Sequence, residues 1–350
     1  MKKLLFTVLM IILLLSACSR LTPPEFPAES PPQASEEPEE PIVYTNPLTG
    51  VLIEKKPENT RPFAVMINNV SVALPHCGTS QADIIYELLA EGDITRMLAI
   101  YSDISDVEKI GSMRSARPYY LDLALSYDAI YVHAGGSEQA YSDIFTKNAN
   151  NLDGVRETYN ADVFYRDHNR MTHGTEHSLF TSGEGILAGC EEKGFDLAHE
   201  VEDFDYGLVF AKADEEISMT DSVAAANVNV SFGGIKNTCF DYNSAKGHYS
   251  AEEYGKAMID GNNNEPLKFK NVLVLYAYTK ILDDSGRRSV DLFGEGSGKF
   301  FCNGKSVDIT WEHDNQDKCF RYFSSGKELV MGAGNTYIAI VPMESEIGIS

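Results

Sequence analysis

From Pro47 to about Asp205, apolar runs short enough to be strands alternate with stretches of helical spacing. Arg61-Pro62-Phe63-Ala64-Val65-Met66-Ile67-Asn68 is almost continuously apolar after its proline, as a strand covered on both faces must be. Thr95 to Tyr101 predicts a second strand, and Asp128 to His133 a third that breaks at Ala134-Gly135-Gly136. Between them, Ala82 to Glu91 has mixed periodicity, and Pro118 to Tyr127 has helical spacing with a proline where a first helical turn tolerates one. Gly135-Gly136-Ser137 opens another helical pattern. Such alternation predicts an α/β domain with a central sheet.

Beyond about Ala211 the pattern changes to strands separated by turn signals. Asn227 to Phe232 alternates strictly, Asn271 to Tyr278 reads as a buried strand, and Asp284-Ser285-Gly286 as a turn before a strand over Ser289 to Phe293. Phe300-Phe301-Cys302, Asn303-Gly304-Lys305 and Ser306 to Trp311 predict a hairpin, and Thr336 to Val341 a closing strand. The expected fold class is therefore α/β followed by mostly antiparallel β, an α/β domain over residues 47–210 and a mostly-β domain over 211–345. The roughly 300 residues after residue 46 exceed a typical single core and fit two such units.

The first 46 residues are of a different kind. Lys2 and Lys3 precede the apolar run Leu4 to Leu15, which suits a signal h-region and is too short to span a bilayer. It ends in Leu15-Ser16-Ala17-Cys18, which resembles the lipobox of bacterial lipoproteins, so residues 1–17 are expected to be a signal peptide and Cys18 the lipidated residue. The alternative is an ordinary secretory signal with Cys18 incidental. Residues 18–46 carry seven prolines between Pro23 and Pro41 and six glutamates between Glu25 and Glu40, and such a segment buries too little apolar surface to offset its ordering entropy. It is expected to be a disordered, extended stalk reaching ~3 Å per residue. The implied location is the extracytoplasmic face of the cell membrane, with lipid on Cys18 as the anchor.

Charge narrows the choice of partners. The chain holds 29 Lys and Arg against 52 Asp and Glu; leader and stalk account for three and six of these, leaving 26 against 46, a balance of −20. Nucleic acid and anionic lipid surfaces are poor partners for such a body. Five cysteines besides Cys18 (Cys77, Cys190, Cys239, Cys302, Cys319) form no zinc spacing; Cys302 and Cys319 are either bridged or, with the others, buried thiols.

Several motifs in order carry a resemblance. Arg61-Pro62-x-Ala64-Val65-Met66-Ile67, Ser80-Gln81-Ala82-Asp83-Ile84-x-Tyr86-Glu87, Glu91-Gly92-x-Ile94-Thr95-Arg96, Lys109-Ile110-Gly111-x-x-Arg114-Ser115-Ala116-Arg117-Pro118 and Val132 to Ser137 resemble the N-terminal domain of the YerB-like lipoproteins, the DUF3048 family. Val272 to Leu275, Gly286-Arg287-x-x-Val290-Asp291-Leu292 and Gly334-x-Thr336-x-Ile338-x-x-Val341-Pro342 are similar to that family's C-terminal domain. The resemblance implies a two-domain envelope lipoprotein and no particular reaction. Around Met171 to Ser182, His177 matches the family's histidine before a Tyr/Phe-Thr-Ser run, while Gly174 to Glu176 looks like an insertion.

Six of the eleven arginines (Arg96, Arg114, Arg117, Arg156, Arg166, Arg170) fall within residues 96–170 of this acidic chain. Guanidinium groups suit carboxylate and phosphate. Arg114 and Arg117 bracket Ser115 before a predicted helix start, and Gly135-Gly136-Ser137 follows a strand, so with Arg96 these residues form a candidate anion site at strand ends. The competing reading pairs the arginines with Glu87, Glu91, Asp122 and Asp128. His133 and His177 are candidate proton-transfer residues only if the protein is an enzyme. His173 and His177 lack a third metal ligand and no cofactor motif is present, so neither metal nor cofactor is expected. The preferred expectation is a non-enzymatic binder of an anionic cell-wall or polyprenyl-phosphate ligand, or of an envelope protein. The alternative is an enzyme of phosphate-linked cell-wall glycan or lipid intermediates, by fold-level analogy with the LytR-CpsA-Psr phosphotransferases.

Overall fold

Strand formation follows the apolar runs closely. In a computed structural model, which describes residues 43–56, 60–201, 203–212, 215, 217 and 219–350, the N-terminal half contributes β1 (Phe63–Asn69), β2 (Ile84–Leu89), β3 (Thr95–Tyr101), β4 (Ile130–His133) and β5 (Asn151–Asp153). The helices α1 (Pro118–Ser126), α2 (Glu138–Thr146) and α3 (Gly183–Lys193) belong to the same half. The later strands are β6 (Asn227–Ser231), β7 (Asn237–Asn243), β8 (His248–Glu253), β9 (Asn271–Ala277), β10 (Gly294–Cys302), β11 (Lys305–His313), β12 (Arg321–Ser324), β13 (Thr336–Pro342) and β14 (Ile347–Ile349). The leader, Cys18 and the stalk to residue 42 lie outside the described residues.

A single sheet of twelve strands crosses both halves, with β12, β11, β10, β9, β13, β2, β3, β1, β4 and β5 as consecutive neighbours. The joint is β13, which pairs in parallel with β9 on one side and with β2 on the other. Parallel pairing recurs at β1–β4 and β4–β5, while β10, β11 and β12 run antiparallel as hairpins. The β10–β11 turn is Asn303-Gly304, both at positive φ (52° and 70°), as a two-residue hairpin requires. A second, six-stranded antiparallel sheet contains β8, β7, β6 and β14 in that order.

The pleat divides the core cleanly. On β1, Ala64 and Met66 pack with residues of α1 and α2, whereas Phe63, Val65 and Ile67 pack with α3 and the second sheet. The same alternation holds for Leu273 and Leu275 against Val272 and Val274 on β9. The large sheet is thus the middle layer, covered by α1 and α2 on one face and by α3 and the smaller sheet on the other. Among the described residues, no helix is long and apolar enough to cross a membrane. All five described cysteines are free thiols; Cys302 and Cys319 are buried and unbridged, and the Cys319 Sγ donates to the Ser126 carbonyl at 2.9 Å.

Candidate anion-binding site

The C-terminal ends of β4 and β5 open onto a cleft of about 530 Å3. Its walls come from the segment leading into α1 (Met113, Arg114, Ser115), the β4–α2 turn (Ala134, Gly135, Gly136), Val155 and Arg156 after β5, and Arg166 with Thr175 and Glu176. The β4–α2 turn needs its glycine, because Gly135 sits at φ +74°. The Gly135 N–H donates to Asp153 Oδ1 at 2.8 Å, and the same oxygen accepts from Val155 N at 2.9 Å. Asp153 Oδ2 accepts from the Tyr141 hydroxyl at 2.7 Å. One buried carboxylate therefore fixes the turn, the start of the Arg156 loop and the Tyr141 ring.

Three arginines reach this cleft, and each is held by something other than a carboxylate. Arg114 donates to the Glu176 carbonyl at 3.2 Å, and Arg166 to the Thr175 carbonyl at 2.6 Å and to Ser178 Oγ at 3.1 Å. Arg156 lies over the Tyr141 ring at 3.4 Å from its centroid. Burial, opposed by Glu176, lowers the pKa of Arg114 from its ordinary value, though it remains a cation at neutral pH. Glu176 sits at the rim, its carboxyl held below the ordinary range by its own backbone N–H and by His177.

Of the residues expected at an anion site, Arg114, Ser115, Gly135 and Gly136 line the cleft together; the others do not join them. Arg96 and Arg117 both turn to Glu91: Arg96 Nη2 donates to Glu91 Oε2 at 2.7 Å, and Arg117 pairs with Glu91 Oε1. The reason is desolvation. These two guanidiniums are largely buried, and burial with Arg117 alongside depresses even the Arg96 pKa to about 10, so an internal carboxylate is needed to hold both. Ser137 is the N-cap of α2, its Oγ accepting from Ala140 N at 3.2 Å. Arg156 and Arg166 line the cleft without having stood out in the sequence from the other arginines of residues 96–170; their only signal was membership of that run.

The two histidines are engaged elsewhere. His133 is buried, with Nδ1 2.9 Å from the Gly135 carbonyl and Nε2 3.1 Å from Asn151 Oδ1. His177 Nδ1 lies 2.8 Å from Asn68 Nδ2, and burial, reinforced by Arg114, lowers its pKa. Residues 171–177 form two short 3-10 turns, so His173 and His177 share no α-helical face, and no cluster of potential metal ligands occurs among the described residues. A larger groove of about 860 Å3, lined by Phe204, Tyr206 and Phe210, mixes Asp205, Lys212 and Glu215 and concentrates no single charge. Beside it, His199 links Asp128 Oδ2 (2.8 Å) to the Tyr206 hydroxyl (2.7 Å), tying loops together.

Comparison with known proteins places this architecture. Residues 48–196 match the family model described as "Protein of unknown function (DUF3048) N-terminal domain", and residues 228–338 the corresponding C-terminal domain. The "Putative lipoprotein YerB" of Bacillus subtilis (strain 168) is 32% identical over 300 residues, covering 85% of this chain and 86% of the relative. The chain belongs to the DUF3048 family. A crystal structure of the YerB protein from Bacillus subtilis superimposes with a TM-score of 0.74 at 30% identity, covering 87% of this chain and 99% of that one. The mixed α/β fold, with its β-rich C-terminal region, is accordingly that of this DUF3048 protein and its YerB relative.

Proposed function

We propose that this DUF3048 protein is a lipid-anchored envelope protein that binds an anionic ligand in the cleft of Arg114, Arg156 and Arg166. The observation that carries the reading is charge. In a chain of net charge −23, three guanidiniums converge on one open cleft, and none has an ion-pair partner among the described residues. Of the other arginines of the same half, Arg61, Arg96 and Arg117 are paired with acids, while Arg170 is spent on the carbonyls of Ala73, Leu74 and Pro75 outside the cleft. Unpaired guanidiniums held by carbonyls and an aromatic ring are preorganised for an incoming acceptor.

The anchor reading rests on Lys2, Lys3, the Leu4 to Leu15 run and Leu15-Ser16-Ala17-Cys18, together with the lipoprotein name of the YerB relative. Lipid on Cys18 would hold the body at the extracytoplasmic face, where anionic cell-wall and polyprenyl-phosphate ligands are available. No observation favours the catalytic alternative, since His133 and His177 are already hydrogen-bonded at the ring nitrogens described above.

The test is binding of inorganic pyrophosphate by calorimetry to the full chain and to an Arg114→Ala, Arg166→Ala variant. Loss of two charge-assisted contacts is expected to weaken binding about a hundredfold. Equal affinity for both proteins, or none for either, refutes the cleft as an anion site.

A further inference from the structure

Resting on the anion-site reading above, we infer that the cleft selects a phosphate group over a carboxylate ligand of similar charge. What carries it is the number of donors left without a partner and the separate stretches of chain that supply them. Arg114 and Arg166 each use Nη1 on the backbone of residues 175–176, which leaves Nε and Nη2 of both without a partner among the described residues. Arg156 lies over the Tyr141 ring and its N–H groups have no hydrogen-bond partner among the described residues, so they stay available. Ser115 and Gly136 line the same cleft, and neither the Ser115 Oγ nor the Gly136 N–H has a hydrogen-bond partner among the described residues.

These groups come from four separate stretches of chain, at 114–115, 136, 156 and 166. A carboxylate is planar with two oxygens, and a single guanidinium fork satisfies it. A phosphate monoester or the terminal group of a diphosphate presents three strong acceptor oxygens in a tetrahedral arrangement, which suits donors arriving from several directions. The Ser115 hydroxyl adds a short neutral donor among long cationic ones. The cleft volume of about 530 Å3, with Met113, Val155 and Leu179 in its walls, leaves apolar space for whatever carries the phosphate.

The experiment is calorimetric titration of the full chain with inorganic pyrophosphate and with citrate, which have similar charge at neutral pH, repeated on Ser115→Ala. Because Ser115 Oγ holds no internal hydrogen bond, this variant is expected to fold as the parent does, and circular dichroism checks it. Pyrophosphate is expected to bind at least about tenfold tighter than citrate, and Ser115→Ala to reduce the pyrophosphate affinity about tenfold while leaving citrate unchanged. Citrate binding as tightly as pyrophosphate, or a Ser115→Ala effect equal for both ligands or absent from both, overturns the phosphate preference and leaves the anion site standing. Binding of neither ligand removes the anion site itself.

Discussion

Glu91 decides which arginines are free. It lies at the turn between β2 and β3, within reach of Arg96 on β3 and Arg117 before α1, and it pairs with both. Arg114, three residues before Arg117, emerges on the cleft side instead. Sequence shows arginines beside potential acids but not which way a side chain turns, so Arg114, Ser115, Gly135 and Gly136 were legible as neighbours, as their shared cleft shows, while Arg96 and Arg117 were not separable from them. A second residue-scale decision lies between the sheets. Glu87 and Glu253 share the buried Lys236, with Nζ–Oε distances of 3.0 and 2.5 Å. Burial alone would raise the Glu87 pKa, but Lys236 and hydrogen bonds from Thr95, Tyr337 and Thr238 bring it below the ordinary value. Burial, only partly opposed by Lys236, pushes Glu253 up to about 7. Among the described residues the buried Glu253 Oε1 has no hydrogen-bond partner, as suits a carboxyl that burial favours in its neutral form. Because the folded-state pKa exceeds the ordinary 4.5, this group's stabilisation is full below about pH 4.5 and is lost as pH rises through about 7. Urea unfolding at pH 5 and pH 8 is expected to show Glu253→Gln stabilising the protein by about 2 kcal/mol at pH 8 and by little at pH 5. Equal effects at the two pH values contradict a protonated Glu253.

At the scale of elements, helix and strand positions were legible because periodicity is local. Thr95–Tyr101 is a strand over the same residues that the pattern marks, and α1 starts at Pro118 as the proline indicates. The predicted strand over Ser289 to Phe293 is shorter and earlier, Arg288–Val290, and residues from Gly294 join β10 instead. The segment Ala82 to Glu91, ambiguous by periodicity, is the central strand β2, apolar on both faces except at Glu87, whose carboxylate is held by the network between the sheets. Ser137 shows an element claiming a residue that chemistry had offered to a ligand: it caps α2. Ser137→Ala is expected to lower stability by about 1 kcal/mol in urea denaturation while leaving pyrophosphate affinity within experimental error. A large loss of affinity with unchanged stability would show that its hydroxyl belongs to the site.

At the scale of the molecule, the strand that matters most is β13. It comes last but one in the chain among the labelled strands, yet it lies between β9 and β2 and makes one sheet of both halves. Apolar periodicity identified Thr336 to Val341 as a strand but carries no information about its neighbours, and partners such as Ile84 and Asn271 are far away in sequence. This continuous sheet sets β4 and β5 in place, and their C-terminal ends carry the cleft, where open α/β sheets commonly bind ligands. A net charge of −23 repels anions at a distance, so the proposed anion binding would have to draw its affinity from close contact with the guanidiniums. The most direct test is crystallographic: an anomalous difference map from crystals of the protein soaked in tungstate, a tetrahedral dianion. The account predicts a peak bounded by Arg114, Arg156 and Arg166 beside Ser115 and Gly136. A cleft without a peak, or a peak at Arg96 and Arg117 with Glu91 displaced, would contradict it.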